Sequence, residues 1–424
     1  MPVINKKRLK VIHLNTYDGN GGAGRAVLRL NQGLKLLGID SQVICLYQFN
    51  PQSGVTAISN TFIGRIKAVF NILAERFLIK PFLKGKQIPF SLQRFGISPS
   101  TLKVLQDADV IHIHWINHGF LSPSKMGELA QLNKKIFWTL HDSNPITGGC
   151  HVRYGCTHFK QECGACPALK NPSANDLSHR TWLAKSKAYQ EFNFTFIAPS
   201  IWMGRCALEA SLSANKQVRV ISNALETDIF KPLNKVECRA EFGIDPRAQV
   251  ILAGYMPSES DRHKGLLELI EAITHLLAHP GVDKGRIILL FYGSNAEGLH
   301  LDIPIPHRFM GKISSDLVLV KLYSLSDVFV FPSLEESMGY TALESLSCGT
   351  PVVAFRTSGV TDIVQHGING YLAPLKDTKD LANGIYTILN NPDYASLSLA
   401  AREWASENFN LQTIAQKHSD LYHE

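Results

Sequence analysis

"VFVFPSLEESMGYTALESLSCGTPVVAF", residues 328–355, is a β-branched apolar run, a polar loop, a short helical stretch opening near Gly339, and a second apolar run. Two such runs joined by a helix make a parallel strand pair, because a parallel connection needs a crossover of a dozen or more residues. Neither run alternates apolar with polar residues, so both strands are expected to be covered on both faces.

The same rhythm extends in both directions. Strand candidates in the first half are "LKVIHLN", "SQVICLY", "DVIHIHW", "KIFWTLH" and "FTFIAPS"; in the second half they are "VILAGY", "IILLFYG", "RFMGKI", "DVFVFPS" and "PVVAF". Between the first two, residues 23–37 place Ala26, Val27, Leu30, Leu34 and Leu37 on one helical face. Alternating strands and helices predict an α/β protein. A chain of 424 residues exceeds one ordinary core, so two Rossmann-like, doubly wound domains are expected, at 1–197 and 198–405. A C-terminal helix at about 406–424 is expected to pack back on the first. Ligands of such sheets bind beyond the carboxyl ends of the strands, which makes the cleft between two facing domains the default site.

Hydrophobic residues form 45% of the chain and charged residues 19%, the balance of a folded globular protein. No apolar run reaches the roughly 18 residues of a membrane span, and the N-terminus has no cleavage signature, so a cytoplasmic protein is expected. The net charge of +7 is concentrated. Residues 61–100 hold Arg65, Lys67, Arg76, Lys80, Lys84, Lys86 and Arg94 against Glu75 alone, interleaved with Phe62, Ile63, Ile66, Val69, Phe70, Ile72, Leu73, Phe77 and Leu78. That pattern suits a helix lying on anionic lipid at the inner face of a membrane, or one whose apolar face packs on its own domain. No recognition motif accompanies the charge, which argues against nucleic acid.

Two segments have the chemistry of phosphate sites. "NTYDGNGGAGRA", residues 15–26, follows the first strand, and its glycines let backbone approach a ligand at a helix start. Gly19, Gly21 and Gly24 form a loose dinucleotide fingerprint with Asp40 as the ribose carboxylate, so an NAD(P)-dependent oxidoreductase is one reading. The other segment is the opening one. Amides of Met338, Gly339, Tyr340 and Thr341 at a helix start favour a phosphate. Glu344 suits a ribose diol, Glu336 suits sugar hydroxyls, and Lys264 in "SDRHKG" offers a positive charge to a diphosphate.

"EESMGYTALE", residues 335–344, resembles the E-x7-E motif of the retaining glycosyltransferases of the GT-B fold, group 4. The glycine loop at 19–24, "TLHD" at 139–142, "RHKG" at 262–265 and "DIVQHGINGYL" at 362–372 extend the resemblance over essentially the whole chain. It implies transfer of a sugar from a UDP- or GDP-linked donor to a glycan or lipid-linked acceptor, in polysaccharide or glycolipid assembly. Glu336 would contact the donor sugar, His141 would sit beside the reacting centre, Lys264 would neutralise the diphosphate, and Glu344 would hold the ribose. Gly21 and Gly22 would lie near the phosphates. Members commonly carry Arg after the Gly of the strand preceding the Lys; here Tyr255 follows Gly254, and Arg262 is the substitute guanidinium. No protein nucleophile and no catalytic metal are implied. A catalytically silent sugar-nucleotide-binding protein remains the third reading.

Within "GGCHVRYGCTHFKQECGACP", residues 148–167, Cys150, Cys156, Cys163 and Cys166 have the composition of a structural zinc site. His112 and His114, near a strand end, are expected to line a cleft wall rather than hold a metal.

Overall fold

The computed structural model describes residues 8–19, 21–49, 53–84, 89–254, 259–293 and 303–424, with backbone only at 259–261. The chain forms two compact units, Met1–Ala224 with Leu411–Glu424, and Leu225–Asn410.

The first unit is built on a seven-stranded parallel sheet. Its strands are β1 (Lys10–Tyr17), β2 (Asp40–Tyr47), β3 (Val55–Ala57), β4 (Val110–Ile113), β5 (Lys135–Thr139), β6 (Thr195–Ala198) and β7 (Gln217–Val220), in the order β3-β2-β1-β4-β5-β6-β7. Helices α1 (Gly21–Leu36), α2 (Phe62–Ile79), α3 (Pro123–Ala130), α4 (Leu177–Glu191) and α5 (Ile201–Glu209) connect them. Val11 to Thr16 of β1 are all buried, as continuous apolar patterning required. Trp138 of β5 is fully buried against Tyr189, Phe194 and Phe196, and its indole N–H finds the His114 carbonyl at 3.0 Å.

The second unit has a six-stranded parallel sheet. Strands β8 (Gln249–Gly254), β9 (Ile287–Tyr292), β10 (His307–Phe309), β11 (Val328–Phe331), β12 (Val352–Phe355) and β13 (Gly370–Ala373) run in the order β10-β9-β8-β11-β12-β13. Its helices are α6 (Lys235–Glu241), α7 (Leu266–Ala278), α8 (Asp316–Leu325), α9 (Tyr340–Ser347), α10 (Thr378–Leu389) and α11 (Tyr394–Asn408). All β11 and β12 residues are buried.

After the second unit the chain returns to the first as α12 (Leu411–His423), which packs along α1. Gly33 of α1 makes this approach possible, since a Cβ there would sit 2.8 Å from the Leu411 carbonyl oxygen. Tyr422 of α12 reaches His112 of β4 at 2.6 Å. The units divide at Ala224, beyond the 197/198 boundary expected from sequence. The reason is β7, which extends the first sheet by pairing with β6 from Thr195↔Gln217 to Ala198↔Val220. Among the described residues no helix is long and apolar enough to cross a membrane.

In each sheet the strand order reverses at one place, between β1 and β4 and between β8 and β11. Loops leaving the carboxyl ends of those strands are where a doubly wound sheet binds ligand. Lys264 follows β8 and Glu336 follows β11, so topology alone brings them together. The glycine loop after β1, Trp115 after β4 and His141 after β5 occupy the corresponding edge of the first sheet.

Candidate active site

In the second unit, Lys264 Nζ donates to Glu336 Oε1. The Glu336 side chain is 17% exposed and that of Lys264 36%, so the pair is open to a ligand. Two loops are shaped to hold it. Lys264 ends a 3-10 turn over Glu259–Lys264, and Gly265 follows with φ 73°; a Cβ there would run into the Pro332 carbonyl, so only glycine lets this turn lie on the β11 loop. Leu334 N donates to His263 O at 2.7 Å, tying the loops together. Glu336 is pinned through its backbone: its N–H donates to Ser358 Oγ at 3.0 Å and its carbonyl accepts from Gly359 N at 3.0 Å. Ser358 itself takes the left-handed conformation, φ 49°, a costly backbone state for a side-chain-bearing residue and one found at ligand sites.

Helix α9 opens at Gly339, φ 106°, which supplies no capping side chain to the first-turn amides. Those amides, at Tyr340 and Thr341 beside Glu336, carry the positive end of the helix dipole. Met338 is buried in the core, so it faces a ligand through its backbone only. Glu344 is also buried, at 1% exposure, and Tyr323 Oη donates to its Oε2 at 3.2 Å with Tyr292 Oη behind at 2.7 Å. The sequence expected an open ribose acceptor; the structure shows a carboxylate already seated in a tyrosine chain. Arg262 is exposed, and Tyr255 lies outside the described residues.

In the first unit, Gly21 and Gly22 are exposed at the start of α1, with open space where a Cβ would stand, whereas a Cβ at Gly24 would stand 2.8 Å from the Gly19 backbone. The glycine loop is therefore accessible, but the dinucleotide reading fails. Asp40 pairs with Lys10 at the amino end of β1, and the glycines follow Tyr17 at its carboxyl end. Seven strand residues, roughly 23 Å, separate the two, so one nucleotide cannot use both.

His141 follows β5, half-buried, and desolvation pushes its pKa down to about 4. Its Nε2 lies 2.9 Å from His114 Nδ1. Next to it, Asp142 Oδ2 meets Trp115 Nε1 at 2.7 Å and His151 Nδ1 at 2.6 Å, while Oδ1 accepts from Asn144 N at 2.8 Å. Burial raises the Asp142 pKa, and His151 with these donors outweighs it, leaving the carboxyl below its usual value. The segment after Asp142 is held by Lys185, fully buried, whose Nζ donates to Asn144 O at 2.5 Å and Thr147 O at 3.1 Å. Trp115 stacks on Tyr17 with ring centres 5.7 Å apart, giving this edge an aromatic surface.

His112 and His114 do meet a third imidazole, His13 of β1, paired in register with His112. Among the described residues these three form the one group of three or more metal-ligand side chains whose ligand atoms lie within 4.8 Å of one another. Each ring nitrogen already has a protein partner: Tyr422 and Thr139 for His112, His13 and His141 for His114, His114 and Ser41 for His13, at 2.6–3.1 Å. No carboxylate joins them to offset a cation's charge, so hydrogen bonding, not ligation, accounts for the cluster.

The cysteines behave differently from expectation. A tetrahedral zinc would hold four sulfurs about 3.8 Å apart. The Cys150 thiol is hydrogen-bonded to Cys166, lowering the latter to about 7, and Cys163 instead accepts from Gly148 N at 3.1 Å. No three of the four sulfurs come within 4.8 Å of one another, so as arranged they do not fit the metal.

Sequence reasoning missed His13, Lys185 and the His151 partner of Asp142. Only His151 carried a signal, lying inside the cysteine-rich loop.

Residues 247–391 match the family model of Glycosyl transferases group 1. A D-inositol 3-phosphate glycosyltransferase of Saccharomonospora viridis is 31% identical over 225 residues, 50% of this chain and 51% of that protein, so the chain spans about half the length of this relative. Among solved structures, a sucrose-phosphate synthase of Thermosynechococcus elongatus superposes with a TM-score of 0.65 at 20% identity, covering 98% of both chains. HepE of Anabaena, crystallised with UDP-glucose, superposes at 0.62 with 18% identity, covering 98% of this chain and 100% of its own. Two parallel sheets, the paired loops at the β8–β11 switch point and these superpositions agree: the chain has the GT-B fold, and its residues 247–391 are similar to the Glycosyl transferases group 1.

Proposed function

We propose that the protein transfers a sugar from a nucleoside diphosphate donor to a carbohydrate-bearing acceptor, with retention of anomeric configuration, in polysaccharide or glycolipid assembly. The observation that carries this reading is the Lys264–Glu336 pair on the loops at the start of α9, whose N-cap residue is Gly339. A departing diphosphate needs preorganised positive charge. Lys264, the exposed Arg262 and the first-turn amides of α9 supply it, in the role a divalent metal plays elsewhere. On donor binding Lys264 exchanges Glu336 for a phosphate oxygen, which frees the Glu336 carboxylate to accept from donor-sugar hydroxyls. Glu344, on the same helix, is assigned to the ribose, reached by exchanging the Tyr323 hydroxyl for a diol. His141, with Gly21 and Gly22, is assigned to the first unit's side of the reaction. No side chain is assigned as nucleophile; the acceptor oxygen attacks the anomeric carbon as the diphosphate leaves, and its proton passes to a phosphate oxygen. The stacked Tyr17–Trp115 surface suits the apolar face of an acceptor sugar ring.

A uridine nucleotide is the preferred donor base, by analogy with HepE bound to UDP-glucose. Peripheral membrane contact belongs to the same proposal. On α2, Phe62, Ile63, Ile66, Phe70, Leu73 and Phe77 are exposed together with Arg65, Lys67 and Arg76, while Glu75, the helix's acidic residue, is buried and bonds Gln93 N at 2.8 Å. The outward face is thus basic and apolar without a compensating acid, which complements an anionic bilayer.

The test is turnover of a panel of UDP- and GDP-sugars, with the anomeric proton coupling of the product read by NMR. Transfer with retained configuration that Glu336→Ala abolishes is expected. An inverted product, or a Glu336→Ala variant with full turnover, overturns the reading.

A further inference from the structure

The buried histidines form a chain with a direction, and that direction ends at His141. Ser41 Oγ donates to Asn31 Oδ1 at 2.8 Å, so its own proton is committed. Ser41 therefore accepts from His13 Nε2, 3.1 Å away, which places the His13 proton on Nε2 and leaves Nδ1 as an acceptor. His13 Nδ1 lies 2.9 Å from His114 Nε2, so His114 is the donor there and also carries its proton on Nε2. His114 Nδ1 then accepts from His141 Nε2 at 2.9 Å. Each neutral imidazole has one donor and one acceptor, so one choice at Ser41 settles all three rings.

We propose that Asn31, Ser41, His13 and His114 are positioning residues that fix His141 as the Nε2–H tautomer and leave its Nδ1 lone pair free to accept a hydrogen bond from a sugar hydroxyl. The assignment of the hydroxyl rests on the transferase reading above; the tautomer does not. The chain crosses five elements, α1 and β2 at one end, β1 and the end of β4 in the middle and the β5 loop at the other. A rigid sheet thereby sets the polarity of a ring at its edge, as an outer partner does for a metal-bound or catalytic histidine. Burial favours the uncharged form of each ring along it, since His13, His114 and His141 all have pKa values displaced downward.

The experiment is a long-range proton–nitrogen correlation spectrum of full-length protein labelled with 15N-histidine, at pH 7.5, assigned with His141→Gln and His114→Gln. Nitrogen shifts showing a protonated Nε2 and a bare Nδ1 in His13, His114 and His141 are expected. A His141 protonated on Nδ1, or averaging between tautomers, overturns the proposal whether or not the protein transfers sugars. Ser41→Ala removes the terminal acceptor and should let the chain reverse, moving His141 toward Nδ1–H although Ser41 is three hydrogen bonds away. Ser41→Thr keeps the hydroxyl and should restore the wild-type spectrum. In a turnover assay Ser41→Ala should lower kcat about tenfold with KM for the donor within twofold, and Ser41→Thr should recover it. A Ser41→Ala spectrum indistinguishable from wild type at His141 would show that Ser41 serves packing alone.

Discussion

Acid should unfold the first unit well before ordinary acid denaturation. Burial pushes His13 and His418 down to about 3 and His118 and His141 to about 4, and moves His112 and His114 down as well. All six lie in the first unit. In the unfolded chain each returns to about 6.5. Because the folded values are the lower ones, the unfolded chain binds more protons below pH 6.5. The stabilisation is complete above that pH and is lost as pH falls toward 4. Going from pH 7 to 5.5, a group with a folded value of 4 or less costs about 1.3 kcal/mol. The four groups given values together cost about 5 kcal/mol, against a typical total stability of about 5–15 kcal/mol. For a unit of this size that is a fall of about 10–20 °C in melting temperature. Tryptophan fluorescence is a suitable readout, since Trp115, Trp138, Trp182 and Trp202 are in the first unit and Trp404 alone in the second. A melting temperature that moves by less than about 2 °C between pH 7 and 5.5 would refute the reasoning, because it would mean that protons reach these rings without cost.

Lys264→Met should lower kcat by about 10²–10³, the usual cost of losing one preorganised donor to a developing anion. The partly exposed Lys264–Glu336 pair contributes only about 0–1 kcal/mol to folding, so a melting shift of many degrees would instead mark Lys264 as structural. Gly265→Ala should cost about 2 kcal/mol or more through the left-handed backbone and the collision with Pro332; chemical denaturation showing an unchanged midpoint would contradict the described turn. Phe70→Glu with Phe77→Glu should abolish co-sedimentation with anionic vesicles and leave turnover on a soluble acceptor intact, and binding that ignores lipid charge would dismiss the α2 surface. Elemental analysis of reduced protein should find less than one zinc per chain; a full equivalent would show that the four sulfurs close around a metal.

The fold was legible because parallel strands buried on both faces leave continuous apolar runs, and residues 328–355 contain a complete strand–helix–strand unit. The strands without a counterpart in the sequence reading are short or marginal. β3 has three residues, β7 is an edge strand whose Arg219 breaks the apolar run, and β13 begins with glycine. At the site, Lys264 and Glu336 were visible because a switch point gathers loops that sequence patterns can find. The status of Glu344 was not, since its tyrosine partners come from β9 and α8, far away in the chain. His13 was hidden for the same reason: as one polar residue within an apolar strand it has no local signature, and only the register of β1 against β4 places it beside His112.

The path of the chain sets an order of assembly. Residues 225–410 form a self-contained body whose first and final residues meet, with Leu225 N donating to Phe409 O at 2.8 Å. On a ribosome that body can close as soon as it emerges. The earlier-made body must wait, for Tyr422, which bonds His112 in its interior, is synthesised only afterwards. Until then the groove along α1 lies open and Gly33 has nothing against it, so stalled translation beyond residue 410 should yield a mature second unit tethered to an unfinished first one, with chaperones recruited to the half that was made first.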